Sequence, residues 1–135
     1  MHRRPNATVF MTGATKPSVL VTRRMPSAVL ARLEAVCDID LHDHSDALSD
    51  DALCARVSGK QGLICMFNDR IEESAIAAGD QLKVIATVAV GFDNIDVAAA
   101  ASRGIVVTNT PDILTDATAE FTWALILAVT RRIGE

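Results

Sequence analysis

The sequence carries few cysteines, no large excess of either charge and no long apolar run. Its three cysteines, Cys37, Cys54 and Cys65, are odd in number and stand at wide, unrelated spacings. That pattern fits neither a disulfide framework nor a zinc site, and it points to a reducing compartment, the cytoplasm. The formal net charge of -4 is ordinary for a globular protein and unlike a nucleic-acid binder, so no DNA or RNA partner is expected. The longest apolar run, around Trp123 to Val129, is too short to span a bilayer, and the first residues lack the charged-then-apolar pattern of a signal peptide. No membrane association is expected. No G-x-G-x-x-G string occurs either, so the turn that cradles a dinucleotide pyrophosphate is not encoded here. What is present is 135 residues, half of them apolar, enough for one core without a staple.

Residues 1–16 read as a loose, partly basic leader, expected to be disordered, with Met11 as an alternative start. From Pro17 onward, short β-branched runs alternate with amphipathic stretches. Ser18 to Thr22 reads as a buried strand, and Pro26 opens a helix with Val29, Leu30, Leu33, Val36 and Cys37 at helical spacing. Asp38 to His42 is a short alternating strand. Ser49 caps a second helix whose apolar face is only Leu53 and Val57 and which Gly59 ends. Gly62 to Phe67 and Leu82 to Val88 are continuous apolar strands, separated by a small helix from Ile71 to Ala78. Asp96 caps an alanine-rich helix ending at Gly104, Ile105 to Thr108 is a fifth strand, and Thr115 to Glu135 is a long helix that Thr115 or Asp116 can cap, with Arg131 and Arg132 in its last turn. Strict alternation of this kind implies an α/β domain: a doubly wound, five-stranded parallel sheet, flavodoxin-like, with helices on both faces.

In such a sheet, ligands gather beyond the carboxyl ends of the strands, so the loops FNDR, AVGFDNID and NTPDILTD draw attention. Gly91 directly after a strand allows close approach of a ligand to the backbone, and consecutive N–H groups there can hold a carboxylate. A plain β-to-α turn with Asp96 as cap accounts for the same residues. Asn109 to Glu120 turns its first helical side chains toward the same rim, or simply starts a helix. His42 and His44 stand two apart on a strand, an arrangement more typical of a solvated pair than of metal ligands. Cys65 reads as a buried, inert thiol, and Arg23 and Arg24 as a solvated turn able to touch an anion.

A buried strand followed by VGFDNID, a short helix, and VTNTPDILTDATAE opening a long helix resembles the substrate domain of the D-2-hydroxyacid dehydrogenases, over Pro17 to Glu135. The stretch GLICMFNDRIEES resembles the glyoxylate/hydroxypyruvate reductase branch. The resemblance implies a small 2-oxo or 2-hydroxy acid as substrate, with its carboxylate on the backbone N–H groups of Val90 and Gly91 and its pocket lined by Met66 and Phe67. Met66-Phe67 stands where relatives often have two leucines. It also implies NAD or NADP as cofactor, with Leu114 and Thr118 against the nicotinamide end, and a homodimer formed through the helix at 115–135. The fingerprint that holds most of the cofactor, the substrate-gripping arginine and the histidine general acid with its carboxylate belong, by the same resemblance, after Glu135. No catalytic side chain is therefore expected in this chain, which is expected not to turn substrate over alone.

Two other doubly wound domains fit less well. A receiver domain needs acidic residues after the first strand, an aspartate ending the third and a lysine ending the fifth, where this chain has Thr22-Arg23-Arg24, Met66-Phe67-Asn68 and Asn109-Thr110. A flavodoxin needs its phosphate loop after the first strand, and Thr12-Gly13-Ala14-Thr15 precedes it. The reading of a different class is a non-catalytic dimerising or regulatory fragment, which the apolar last helix would also suit.

Overall fold

A computed structural model describes residues 15–134. Ten elements alternate without exception: β1 (Ser18–Val21), α1 (Ser27–Glu34), β2 (Asp38–Leu41), α2 (Asp50–Val57), β3 (Gly62–Cys65), α3 (Glu73–Ala78), β4 (Val84–Thr87), α4 (Val97–Ser102), β5 (Val106–Thr108) and α5 (Thr115–Thr130). The strands form one parallel sheet in the order β2-β1-β3-β4-β5. Right-handed crossovers decide which face each helix covers. The step from β1 to β2 runs toward one edge, whereas each later step runs toward the other, so α1 lies on one face and α2, α3 and α4 lie on the opposite one. The strand order reverses at β1 and β3, and their carboxyl ends mark the rim where ligands bind in such sheets.

Local chemistry sets the helix ends. The Ser49 hydroxyl accepts from Ala52 N at 3.3 Å and the Asp96 carboxylate from Ala99 N at 2.8 Å, each satisfying a donor of a first helical turn. Gly59 and Gly104 adopt φ of 71° and 70°, a region that side chains disfavour, and so turn the chain from helix to strand. The core lies under α2, α3 and α4: Leu20, Leu63, Cys65 and Ile85 from the sheet meet Leu53, Val57, Ile76 and Ala100. On the other face, no described helix covers β4 and β5, and Val84 and Val106, paired in register, are 37% and 59% exposed. α5 buries no residue at all.

Several elements are shorter than the sequence suggests. β3 stops at Cys65 because Met66 N donates to the Asp69 carboxylate at 2.7 Å and Asp69 N donates back to Met66 O at 3.1 Å, closing a turn that takes Met66 and Phe67 out of the strand. Ile71 is not helical: it forms a one-residue parallel bridge with Ile95, and α3 begins at Glu73. α5 ends at Thr130, where Arg132 turns to φ 53°, so Arg131 and Arg132 follow the helix. Its N-cap is Leu114, with no side-chain cap from Thr115 or Asp116. Of the expected leader, residues 1–14 lie outside the described residues, and Lys16 Nζ donates to Glu34 O at 2.6 Å.

Candidate functional site

Four segments leave the carboxyl ends of β1, β3, β4 and β5 and meet at one rim. Asp69, 4% exposed, anchors the first two. Its carboxylate accepts from the Thr22 hydroxyl at 2.5 Å, from Met66 N at 2.7 Å and from the Arg23 guanidinium at 3.2 Å. Arg23 also donates to Ser45 O at 2.5 Å and Asn68 Oδ1 at 3.3 Å, so it ties together the segments after β1, β2 and β3. The Asp69 carboxylate is thus met by three donors inside a mostly buried cluster, where a missing partner is costly, while the buried Nε of Arg23 has no hydrogen-bond partner among the described residues. Arg23 is a structural residue and not part of a solvated turn; Arg24 is exposed and pairs with Asp43.

Asn94 joins the β3 segment to the β4 segment. Its amide donates to Met66 O at 3.1 Å and Asp69 O at 2.8 Å, while Ile71 N donates to Asn94 O and Asp96 N to Ile71 O, both at 2.9 Å. The loop bearing Met66 and Phe67 is therefore fixed to the loop bearing Val90 and Gly91. The β5 segment closes the set: Thr110 N donates to Ala89 O at 2.9 Å, and Asn109 Nδ2 donates to Val90 O at 2.7 Å.

Among the described residues, the N–H groups of Val90 and Gly91 donate to no acceptor. Two consecutive free donors form the kind of site that takes an anionic oxygen pair. The space in front of Gly91 is open: the nearest atom to a Cβ placed there is an Asp93 carboxylate oxygen, 3.9 Å away. Glycine is therefore required here neither by packing nor by a positive φ. Met66 is half-buried, and Phe67, 73% exposed, projects from the neighbouring turn.

An open, largely apolar groove of about 750 Å³ brings Val90 together with Leu114 and Thr118 and continues along α5 past Thr122, Trp123 and Ile126. Gly91, Met66 and Phe67 are not on its walls. An apolar trough beside strand-end N–H groups is the kind of surface that takes a flat ring. A larger hollow, about 850 Å³, lies over Arg23, Arg24, Asp43 and His44, but the two arginines there are already paired with carboxylates. The sequence reading did not single out Asp69, Asn94, Asn109 or Trp123. Polar residues in strand-end loops are the only signal that marks the first three.

Other candidates have different roles. Burial pushes the Cys65 thiol up to about 12, with the charge of Asp69 adding to it, so this thiol is not a nucleophile at neutral pH. The rings of His42 and His44 lie with centroids 4.9 Å apart and planes tilted by 38°, and His42 lies 3.3 Å from Arg56 Nη1 and 3.2 Å from Asp46 O. Among the described residues, no three metal-binding side chains gather anywhere. No helix among them is long and apolar enough to cross a membrane.

Comparisons with known proteins bear on the family and the fold. Residues 19–133 match the family model described as D-isomer specific 2-hydroxyacid dehydrogenase, catalytic domain. The chain is 47% identical over 121 residues to a glyoxylate reductase of Thermofilum pendens, an alignment covering 89% of this chain and 36% of that protein. Among solved structures, it is similar to the TT0316 protein of Thermus thermophilus, with a TM-score of 0.80 and 45% identity over 86% of this chain and 37% of the other. It also resembles a D-lactate dehydrogenase of Aquifex aeolicus complexed with NAD and lactic acid, with a TM-score of 0.67 and 26% identity over 86% of this chain and 34% of the other. The chain thus spans about a third of the length of the relatives it matches.

Proposed function

Because this chain belongs to the D-isomer specific 2-hydroxyacid dehydrogenase family, we propose that it forms the substrate-holding part of an oxidoreductase that reduces small 2-oxo acids, glyoxylate or hydroxypyruvate, to D-2-hydroxy acids. The observation that carries this reading is the pair of consecutive N–H groups on Val90 and Gly91, which have no acceptor among the described residues, at the carboxyl end of β4. They donate to the substrate carboxylate, while Met66 and Phe67 form the wall that limits the group on the far side of the 2-oxo carbon. Leu114 and Thr118 flank the nicotinamide of NAD or NADP, most of which is held by residues outside this sequence. When bound, the cofactor supplies the hydride that reduces the carbonyl carbon. The proton for the resulting alkoxide, and the cation that completes the grip on the acid, come from groups outside this chain, which alone binds without turnover.

α5 carries a second role. Phe121, Trp123, Leu127 and Val129 are each more than half exposed, which favours a homodimer through this helix in a cytoplasmic enzyme. The same surface supports the alternative of a non-catalytic dimerising or regulatory fragment.

Calorimetric titration of the 135-residue chain with oxalate, an unreactive analogue of glyoxylate, tests the site. Binding is expected in the unaltered chain and at least tenfold weaker binding in Gly91→Val, whose branched side chain stands beside the N–H groups, with an unchanged melt. Equal binding by the two proteins would overturn the carboxylate assignment. Reduction of glyoxylate by the chain alone with NADH or NADPH would overturn the division of labour, and absence of any oxalate binding would leave the dimerising fragment as the better account.

A further inference from the structure

Peptide planarity gives Asn109 a task that its place in a β-to-α loop does not suggest. In a trans peptide, the carbonyl and the following N–H point in opposite directions across one rigid plane, and no described peptide bond is cis. Ala89 O is held by Thr110 N at 2.9 Å, which sends the N–H of Val90 away from the β5 segment. Val90 O is held by Asn109 Nδ2 at 2.7 Å, which sends the N–H of Gly91 away from it as well. Two successive carbonyls are thus drawn to one side and two successive N–H groups are left on the other. In an extended strand, successive carbonyls alternate sides, so the chain leaves strand geometry here, just after β4.

The hold on Ala89 comes from the backbone and is available to any residue but proline at position 110. The hold on Val90 comes from a side chain, and Gly91 next to it offers little resistance to rotation because glycine has the widest choice of backbone conformations. Without the Asn109 amide, the Val90–Gly91 peptide is free to turn, which would scatter the two donors. Asn109 does not line the groove along α5 and is itself half-buried, so its contribution is to hold the peptide and not to touch the ligand.

We propose that Asn109 is a positioning residue, whose amide fixes the Val90–Gly91 peptide so that its N–H is presented to the substrate carboxylate before the substrate arrives. This rests on the carboxylate reading above, and preorganised donors bind more tightly because the ordering is done in advance.

The test uses the 135-residue chain labelled with nitrogen-15. Residual dipolar couplings of the Val90 and Gly91 N–H bonds, measured without ligand, report the orientation of the two vectors, and an oxalate titration followed at the same amides reports binding. Asn109→Ala is expected to shift the Gly91 coupling, to weaken oxalate binding at least tenfold and to leave the melting temperature within a few degrees of the parent. Unchanged couplings with unchanged affinity overturn the proposal and leave the carboxylate site standing. A parent chain whose Val90 and Gly91 amides ignore oxalate overturns the carboxylate reading, and this proposal with it. Should Asn109→Ala lose its cooperative melt, Asn109→Asp keeps the size and shape while replacing the donor with an acceptor. The ligand-free couplings of that variant then decide: a displaced Gly91 vector supports the role and an unmoved one overturns it.

Discussion

The two faces of the sheet are built to different standards. Under α2, α3 and α4, Leu20, Leu63, Ile76 and Ile85 are essentially inaccessible, whereas on the opposite face Val84, Val88 and Val106 stay open and α5 stands beside the sheet without burying a residue. One face is finished by the chain's own helices; on the other, Val19 and Val21 of β1 are buried, but the part formed by β4 and β5, and the last helix, present apolar surface to whatever is next to them. The ligand-facing rim joins the two and is fixed by polar networks, not by apolar burial. Stability and function are therefore encoded in different residues and respond to different substitutions.

The comparison can be broken most sharply in the core. Leu63→Ala is expected to cost about 3–4 kcal/mol, the range for a large side chain removed from a site that cannot collapse, while Val106→Ala, on the open face, should stay within about 0.5 kcal/mol. Urea denaturation of both variants checks the pair, and similar losses would mean the open face is covered in solution. Next in size is Asp69→Ala, which strands Arg23 and leaves the Thr22 hydroxyl and Met66 N without their acceptor. The expected loss is about 3 kcal/mol, the low end for a broken buried pair because Arg23 keeps Asn68 and Ser45 and is 16% exposed.

Helix capping is a smaller effect. Asp96→Ala should lower stability by about 1 kcal/mol through the lost bond to Ala99 N, read from the shift in denaturation midpoint at constant slope. The smallest effect concerns the sheet edge, where Asp40 on β2 pairs with Arg56 and with Lys60 at 3.0 Å. The hydrogen bond from Arg56, helped by Lys60 and opposed by burial, holds the Asp40 carboxyl below its ordinary value. A depressed carboxyl stabilises the fold above its unfolded value, and that contribution is lost as the pH falls through the folded one. Asp40→Asn should therefore trail the parent by about 0.5–1 kcal/mol at pH 7, a figure reduced for solvent screening, with the gap narrowing as the pH falls below about 4. A gap that stays constant down to acid unfolding would assign the effect to packing.

Much of this architecture is legible in the sequence because the signals are local. Ser49 and Asp96 announce helix starts, Gly59 and Gly104 announce helix ends, and short apolar or alternating runs place all five strands. The end of β3 is a local turn between Met66 and Asp69 that residue type alone does not announce, and the start of α3 is not legible because Ile71 is held by Asn94 and Ile95, distant in the chain. The same reason hides Arg23: as a residue after a strand it reads as solvated, and only the fold brings Asp69 to it, 46 positions away. Val90, Gly91, Leu114 and Thr118 draw notice through their motifs. Asn109 does not, because its bond to Val90 O acts on the direction of a peptide plane, which residue type and spacing do not specify.

The central claim is that the Val90–Gly91 backbone receives a small carboxylate. Mapping amide shifts across the whole nitrogen-15-labelled chain during an oxalate titration tests it most directly. The account predicts saturable shifts centred on Val90 and Gly91, reaching Met66 and Phe67 and sparing the arginine cluster at Arg23 and Arg24. Shifts centred on Arg23, Arg24 and His44, with Val90 and Gly91 unmoved, would contradict it.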